Sequence, residues 1–99
     1  MNRVVVTGIG MVSPLAANVN DTWDQLIHSK SGINKITSFE TKDLSVKIAG
    51  QIPTSEQNFG FEPNNFVEPK DQRKIDDFIL FAIAAADQAI QDSEIGRLN

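Results

Sequence analysis

Cysteine is absent from this 99-residue chain, and histidine occurs once, as His28. The first absence excludes disulfides, zinc–thiolate sites and a cysteine nucleophile within these residues. The second excludes a two-histidine catalytic or metal site built from this chain alone. A basic excess is missing as well, since 9 Lys and Arg stand against 13 Asp and Glu for a net charge of −4. Nucleic-acid binding therefore has no overall electrostatic support. No apolar stretch reaches about eighteen residues, the length a membrane-spanning helix needs. Met1-Asn2-Arg3 leads straight into Val4-Val5-Val6, without the longer apolar core of a secretion signal. With 40% hydrophobic residues, disorder is disfavoured. The expectation is an intracellular, cytoplasmic α/β segment with no nucleic-acid or membrane partner.

What is present reads as alternating strand and helix. Val4-Val5-Val6 is a continuous β-branched run ending at Thr7-Gly8, which predicts a strand over about 3–8 buried on both faces, as in a helix-covered parallel sheet. A helix is expected over about 21–30. Thr22 and Gln25 have capping-box spacing, with Asn20 and Asp21 as competing caps. Trp23, Leu26 and Ile27 form its apolar face, and Gly32 offers a left-handed stop. Val46, Ile48 and Ile52 alternate with less apolar neighbours to predict a half-buried strand over 46–52, ended by Pro53. Residues 53–68 read as loop. A long helix over 69–92 then starts at Pro69 and carries Ile75, Phe78, Ile79, Ala82, Ile83, Ala86, Ala89 and Ile90 at helical spacing.

That last helix is apolar around most of its circumference and Ala-rich in the middle, so other backbones should pack closely on it. Two strands and two helices offer too little surface to cover it, and they leave sheet edges unpaired. Residues 1–99 are therefore expected to be an incomplete domain of a larger α/β protein.

Three patterns invite a chemical reading. Gly8-Ile9-Gly10 follows a strand as in a dinucleotide site, but Ser13 replaces the third glycine and Pro14 stands where the phosphate-binding helix should begin. The glycines read better as a close-packed turn, so no cofactor is expected. His28 has no signalled partner and reads as a plain solvent-facing residue or one capping the carboxyl end of its helix. Asp76 and Asp77 are adjacent, so they diverge by about 100° on a helix and do not form an acid–base pair. Lys70, Arg73 and Lys74 differ, because the predicted helix places all three on one side of its amino-terminal turn, where the macrodipole disfavours cations. Such a cluster points to an anionic partner.

The run Arg3-Val4-Val5-Val6-Thr7-Gly8-Ile9-Gly10-Met11-Val12-Ser13-Pro14 resembles the opening of the β-ketoacyl-acyl-carrier-protein synthases. Thr22-Trp23, Ser31-Gly32-Ile33 and Ala49-Gly50 follow in the family's order. Gln72-Arg73-Lys74-Ile75-Asp76-Asp77-Phe78 and Gln88-Ala89-Ile90-Gln91-Asp92-Ser93 extend the resemblance through the long helix. It departs at Leu15-Ala16, in the loop 53–68 and at Glu94. The synthase II branch of bacterial fatty-acid elongation is the most similar; synthase I and polyketide-type enzymes are the alternatives, as is a non-catalytic carrier-binding fragment.

The resemblance implies the first part of a thiolase-like fold, layered αβαβα in full, and a homodimer when full length. It implies an acyltransferase that condenses malonyl- and acyl-loaded carrier protein by decarboxylative Claisen chemistry. The family's catalytic cysteine and two histidines find no match here, so no catalytic, cofactor or metal residue is carried over. Lys70, Arg73 and Lys74 match the family's docking patch for acidic acyl carrier protein.

Overall fold

The computed structural model describes residues 2–95, which divide into two compact units. Ser13–Phe61 forms one; the residues before Ser13 and after Phe61 form the other.

The Ser13–Phe61 unit opens on a tight turn. The Ser13 N–H donates to the Ala16 carbonyl at 2.8 Å, and Ser13 Oγ accepts from the Leu15 and Ala16 N–H groups at 3.2 Å each. Helix α1 spans Val19–Ile27, two residues ahead of the expected start. Its cap is Asn18, whose side chain accepts from the Asp21 N–H at 2.8 Å. Thr22, expected in the cap, instead lies buried with Oγ1 2.8 Å from Ser13 Oγ. The helix ends before residue 30 because Ser29 takes the left-handed conformation at φ 59°. The Ser29 and Lys30 N–H groups then close back onto the Leu26 and Gln25 carbonyls, each at 3.0 Å. Gly32 is not the stop. Its missing side chain serves contact, since a Cβ there would sit 2.7 Å from Pro14 Cβ.

The expected strand 46–52 is only β2, Ile48–Gly50, paired antiparallel with β1, Ile33–Lys35. Ile33 faces Gly50, Asn34 faces Ala49 and Lys35 faces Ile48. Beyond the ladder, side chains replace strand partners. Gln51 Oε1 accepts from the Thr37 and Ser38 N–H groups at 3.1 Å each, and its Nε2 donates to the Lys35 carbonyl at 3.2 Å. Lys47 Nζ donates to the Thr41 carbonyl at 2.8 Å. These bonds shape the connection between the strands.

In the other unit, residues 3–8 form no strand; Val4 and Val6 are 90% and 81% exposed. A doubly buried strand takes its burial from neighbours along both edges and layers on both faces; the described residues supply no ladder partner. The expected helix 69–92 is two helices, α2 at Pro69–Gln72 and α3 at Asp77–Ser93, preceded by a short 3-10 helix at Pro63–Asn65. The break falls where Asp76 turns extended and caps α3, leaving Asp77 in its first turn, the favourable place for an acid.

The expectation of close backbone packing on the Ala-rich helix holds at Gly8 and Gly10. A Cβ on Gly10 would overlap the Ala85 carbonyl oxygen, and one on Gly8 would overlap that of Ala89. The extended chain is also stitched to α3. The Ile9 N–H donates to Asp92 Oδ2 and the Met11 N–H to Gln88 Oε1, both at 3.1 Å. Alternate N–H groups of an extended chain point the same way, and Gln88 and Asp92 are one helical turn apart, so the two spacings match.

Burial is otherwise sparse. The buried apolar side chains are Ala16 and Phe61 in one unit and Leu80 and Ala84 in the other. Trp23, Leu26 and Ile27, the expected inner face of α1, are exposed, as are Phe78, Ile83 and Ile90 of α3. The helix is left largely uncovered, because the described residues do not supply the surface to cover it, as expected from their few elements. No helix among them is long and apolar enough to cross a membrane.

Candidate functional site

The four-residue helix α2 is held against the 3-10 helix by one side chain. Gln72 Nε2 donates to Asn64 Oδ1 at 2.9 Å and to the Val67 carbonyl at 2.7 Å. With Gln72 tied inward, Lys70 and Arg73 beside it are left exposed, and Lys74 follows at the surface. Lys70 sits within α2, Arg73 is its carboxyl-end cap, and Lys74 donates its N–H to the Asp71 carbonyl at 3.1 Å.

This placement corrects the electrostatic argument made from sequence. The three cations do not occupy the first turn of a long helix, because α3 begins only at Asp77. The dipole of α3 therefore no longer makes them anomalous, and the shared helical face ends at Gln72. Their exposure and closeness along the chain remain.

Both lysines have acidic neighbours of their own. Lys70 Nζ lies 3.6 Å from Glu68 Oε2, and Lys74 Nζ lies 3.9 Å from Asp71 Oδ1. All four side chains are more than half exposed to solvent. Asp76 and Asp77 start α3. The Arg73 guanidinium makes no ion pair or side-chain hydrogen bond among the described residues. Sequence reasoning missed Glu68 and Gln72; a helix as short as α2, bounded by Pro69 and the extended Asp76, was the signal that could have brought their neighbours into view.

The remaining candidates resolve toward structure. His28 caps α1, with Nδ1 2.7 Å from the Asp24 carbonyl oxygen and 3.5 Å from Asp24 Oδ1. Gly8 and Gly10 contact helix backbone, as above. An open hollow lined by Lys35, Ile36, Thr37, Phe39, Glu40 and Thr41 follows the connection after β1. Among the described residues no three His, Asp or Glu side chains gather as metal ligands.

Comparison with known proteins fits this geometry into a larger one. The family model described as "Beta-ketoacyl synthase, N-terminal domain" matches residues 1–98. The 3-oxoacyl-[acyl-carrier-protein] synthase 2 of Rhizobium meliloti (strain 1021) is 46% identical over 94 residues, covering 94% of this chain and 22% of that protein. Its namesake from Vibrio cholerae serotype O1 is 42% identical over 91 residues, covering 92% and 20%. That of Staphylococcus aureus (strain COL) is 37% identical over 93 residues, covering 94% and 21%. Among solved structures, the ishigamide ketosynthase/chain length factor superposes with a TM-score of 0.74 at 28% identity, over 92% of this chain and 21% of that one. The chain thus spans about a fifth of the length of the relatives it matches. It belongs to the β-ketoacyl synthase family, matching that family's N-terminal domain, and shares its thiolase-like fold.

Proposed function

We propose that this chain is the N-terminal portion of a 3-oxoacyl-acyl-carrier-protein synthase II, and that its own contribution to the reaction is carrier docking rather than catalysis. The observation carrying this reading is the exposed knuckle formed by Lys70, Arg73 and Lys74, with a guanidinium unpaired among the described residues, in a chain that is otherwise acidic. A general polyanion is a poor match to a net charge of −4. An acidic carrier protein presenting its acyl group on a phosphopantetheine arm suits a small, local cluster.

The complete enzyme, as the family resemblance implies, moves an acyl group from its carrier to a cysteine thiolate. Malonyl-carrier then loses carbon dioxide, and the resulting carbanion attacks the acyl thioester, expelling the thiolate and forming the new carbon–carbon bond. A thiolate suits both steps as nucleophile and leaving group. No residue of this chain performs them, as it has no cysteine and its only histidine is an exposed helix cap. The proposed setting is a cytoplasmic homodimer, acting on malonyl- and acyl-loaded carrier.

Exposed ion pairs are individually worth only about 0.2–1 kcal/mol, so the three cations act mainly through encounter and orientation. The test is binding of acidic holo-carrier protein to the full-length synthase containing this region, measured across a salt series. Reversing Arg73 and Lys74 to Glu should weaken binding and flatten its salt dependence. Unchanged affinity and slope would refute the docking role.

A further inference from the structure

We propose that Glu68 and Asp71 are built-in counter-ions that compete with an acidic partner for Lys70 and Lys74, leaving Arg73 as the cation free at first encounter. The inference rests on the docking role proposed above and adds to it a control on strength.

Three observations carry it. Lys70 and Lys74 are each already matched with an acid, at 3.6 and 3.9 Å, whereas Arg73 is not. The acids are surface groups with little else to do. Glu68 is the cap residue of α2 but makes no side-chain cap bond, and the Asp71 carboxylate pairs only with Lys74 among the described residues. Finally, the segment is not basic as a whole. Between Glu68 and Asp77, the cations Lys70, Arg73 and Lys74 face the anions Glu68, Asp71, Asp76 and Asp77, one anion in excess.

The sign of the effect follows from the geometry. Single, long contacts between solvated side chains hold the lysines in place only weakly, so little preorganisation is lost when the acids are neutralised. An approaching acidic surface meets Glu68 and Asp71 as repulsive charges within about 8 Å, the screening length at physiological salt. Their neutralisation turns one excess anion into one excess cation. Competition therefore outweighs any benefit of holding the lysines.

The test uses full-length synthase containing this region and fluorescently labelled acidic holo-carrier protein in stopped flow. The double variant Glu68→Gln with Asp71→Asn removes both charges at nearly constant shape. Association should accelerate by about three- to tenfold at low salt, with a steeper salt dependence and convergence on the parent rate at high salt. Unchanged or slower association would overturn the proposal. Arg73→Glu is measured in parallel. If it slows association while the double variant does not speed it, the counter-ion proposal alone falls. If Arg73→Glu has no effect, the docking role itself falls, and this inference with it.

Discussion

Gly10 lies so close to Ala85 that a single added carbon would overlap the Ala85 carbonyl oxygen. The contact joins the chain's opening segment to the middle of α3, and the Met11–Gln88 and Ile9–Asp92 hydrogen bonds run beside it. Backbone cannot retreat as a flexible side chain can, so Gly10→Ala must push the two elements apart. Overpacking of this kind costs about 1–3 kcal/mol. In the full-length protein, amide exchange of α3 around Ala85 and Gln88 should accelerate roughly ten- to hundredfold where opening is local. Unaltered protection would show that the contact is looser than described.

A second prediction concerns the hydroxyl pair Ser13–Thr22, 2.8 Å apart and part-buried. Thr22→Val keeps the shape and removes the hydrogen bond, at a cost of about 1 kcal/mol. Exchange at the Leu15 and Ala16 amides, which Ser13 Oγ accepts, should rise about fivefold. Thr22→Ser should recover most of the protection. Protection retained in Thr22→Val but lost in Thr22→Ser would assign the site to methyl packing instead.

Isolated as 99 residues, the chain should expose apolar surface and associate with itself. Val4 and Val6 lack ladder partners, and Trp23, the only tryptophan, is 62% exposed. Contiguous exposed apolar residues of this kind mark surfaces that pack against something. Acrylamide should quench Trp23 efficiently in the isolated chain, and a dye specific for apolar surface should bind it. A quench-resistant Trp23 in a monomer that unfolds cooperatively would contradict this expectation.

The same 99 residues should catalyse neither condensation nor malonyl decarboxylation, since they lack a thiol nucleophile and hold a single histidine. Turnover by chain of verified intact mass, with full-length synthase excluded, would disprove it.

Local signals in the sequence were legible where the chain decides alone. The Ala-rich stripe of α3 and the glycines of Gly8-Ile9-Gly10 pointed to close backbone contact, and Gly8 and Gly10 make it against Ala89 and Ala85. His28 was legible as a non-catalytic residue, either solvent-facing or a cap, and it is the exposed cap of α1. What failed depended on partners. Val4-Val5-Val6 has strand composition, but a strand is a pairing, and no described residue pairs with it. The strand Ile33–Lys35 was missed because a three-residue element has no periodicity to detect. The helix starts failed for a subtler reason, competition among caps. Asn18 is the cap, Asp21 is bonded to it by both backbone and side chain, and Thr22 is engaged by Ser13. Asp76 interrupted a pattern that periodicity alone continues straight through. The cations of the candidate site were thus legible, but their setting was not. Lys70, Arg73 and Lys74 belong to a short knuckle with its own acids, rather than to one helix face.

In the proposed function this knuckle docks the carrier and takes no part in the chemistry. Its most direct test compares kcat/KM of the full-length synthase for carrier-bound substrate and for a small carrier-free thioester, before and after reversing Arg73 and Lys74 to Glu. The account predicts a loss of about tenfold or more for the carrier-bound substrate at low salt, shrinking as salt rises, with a far smaller change for the carrier-free thioester. Equal losses for both substrates would make the residues structural and contradict the docking role.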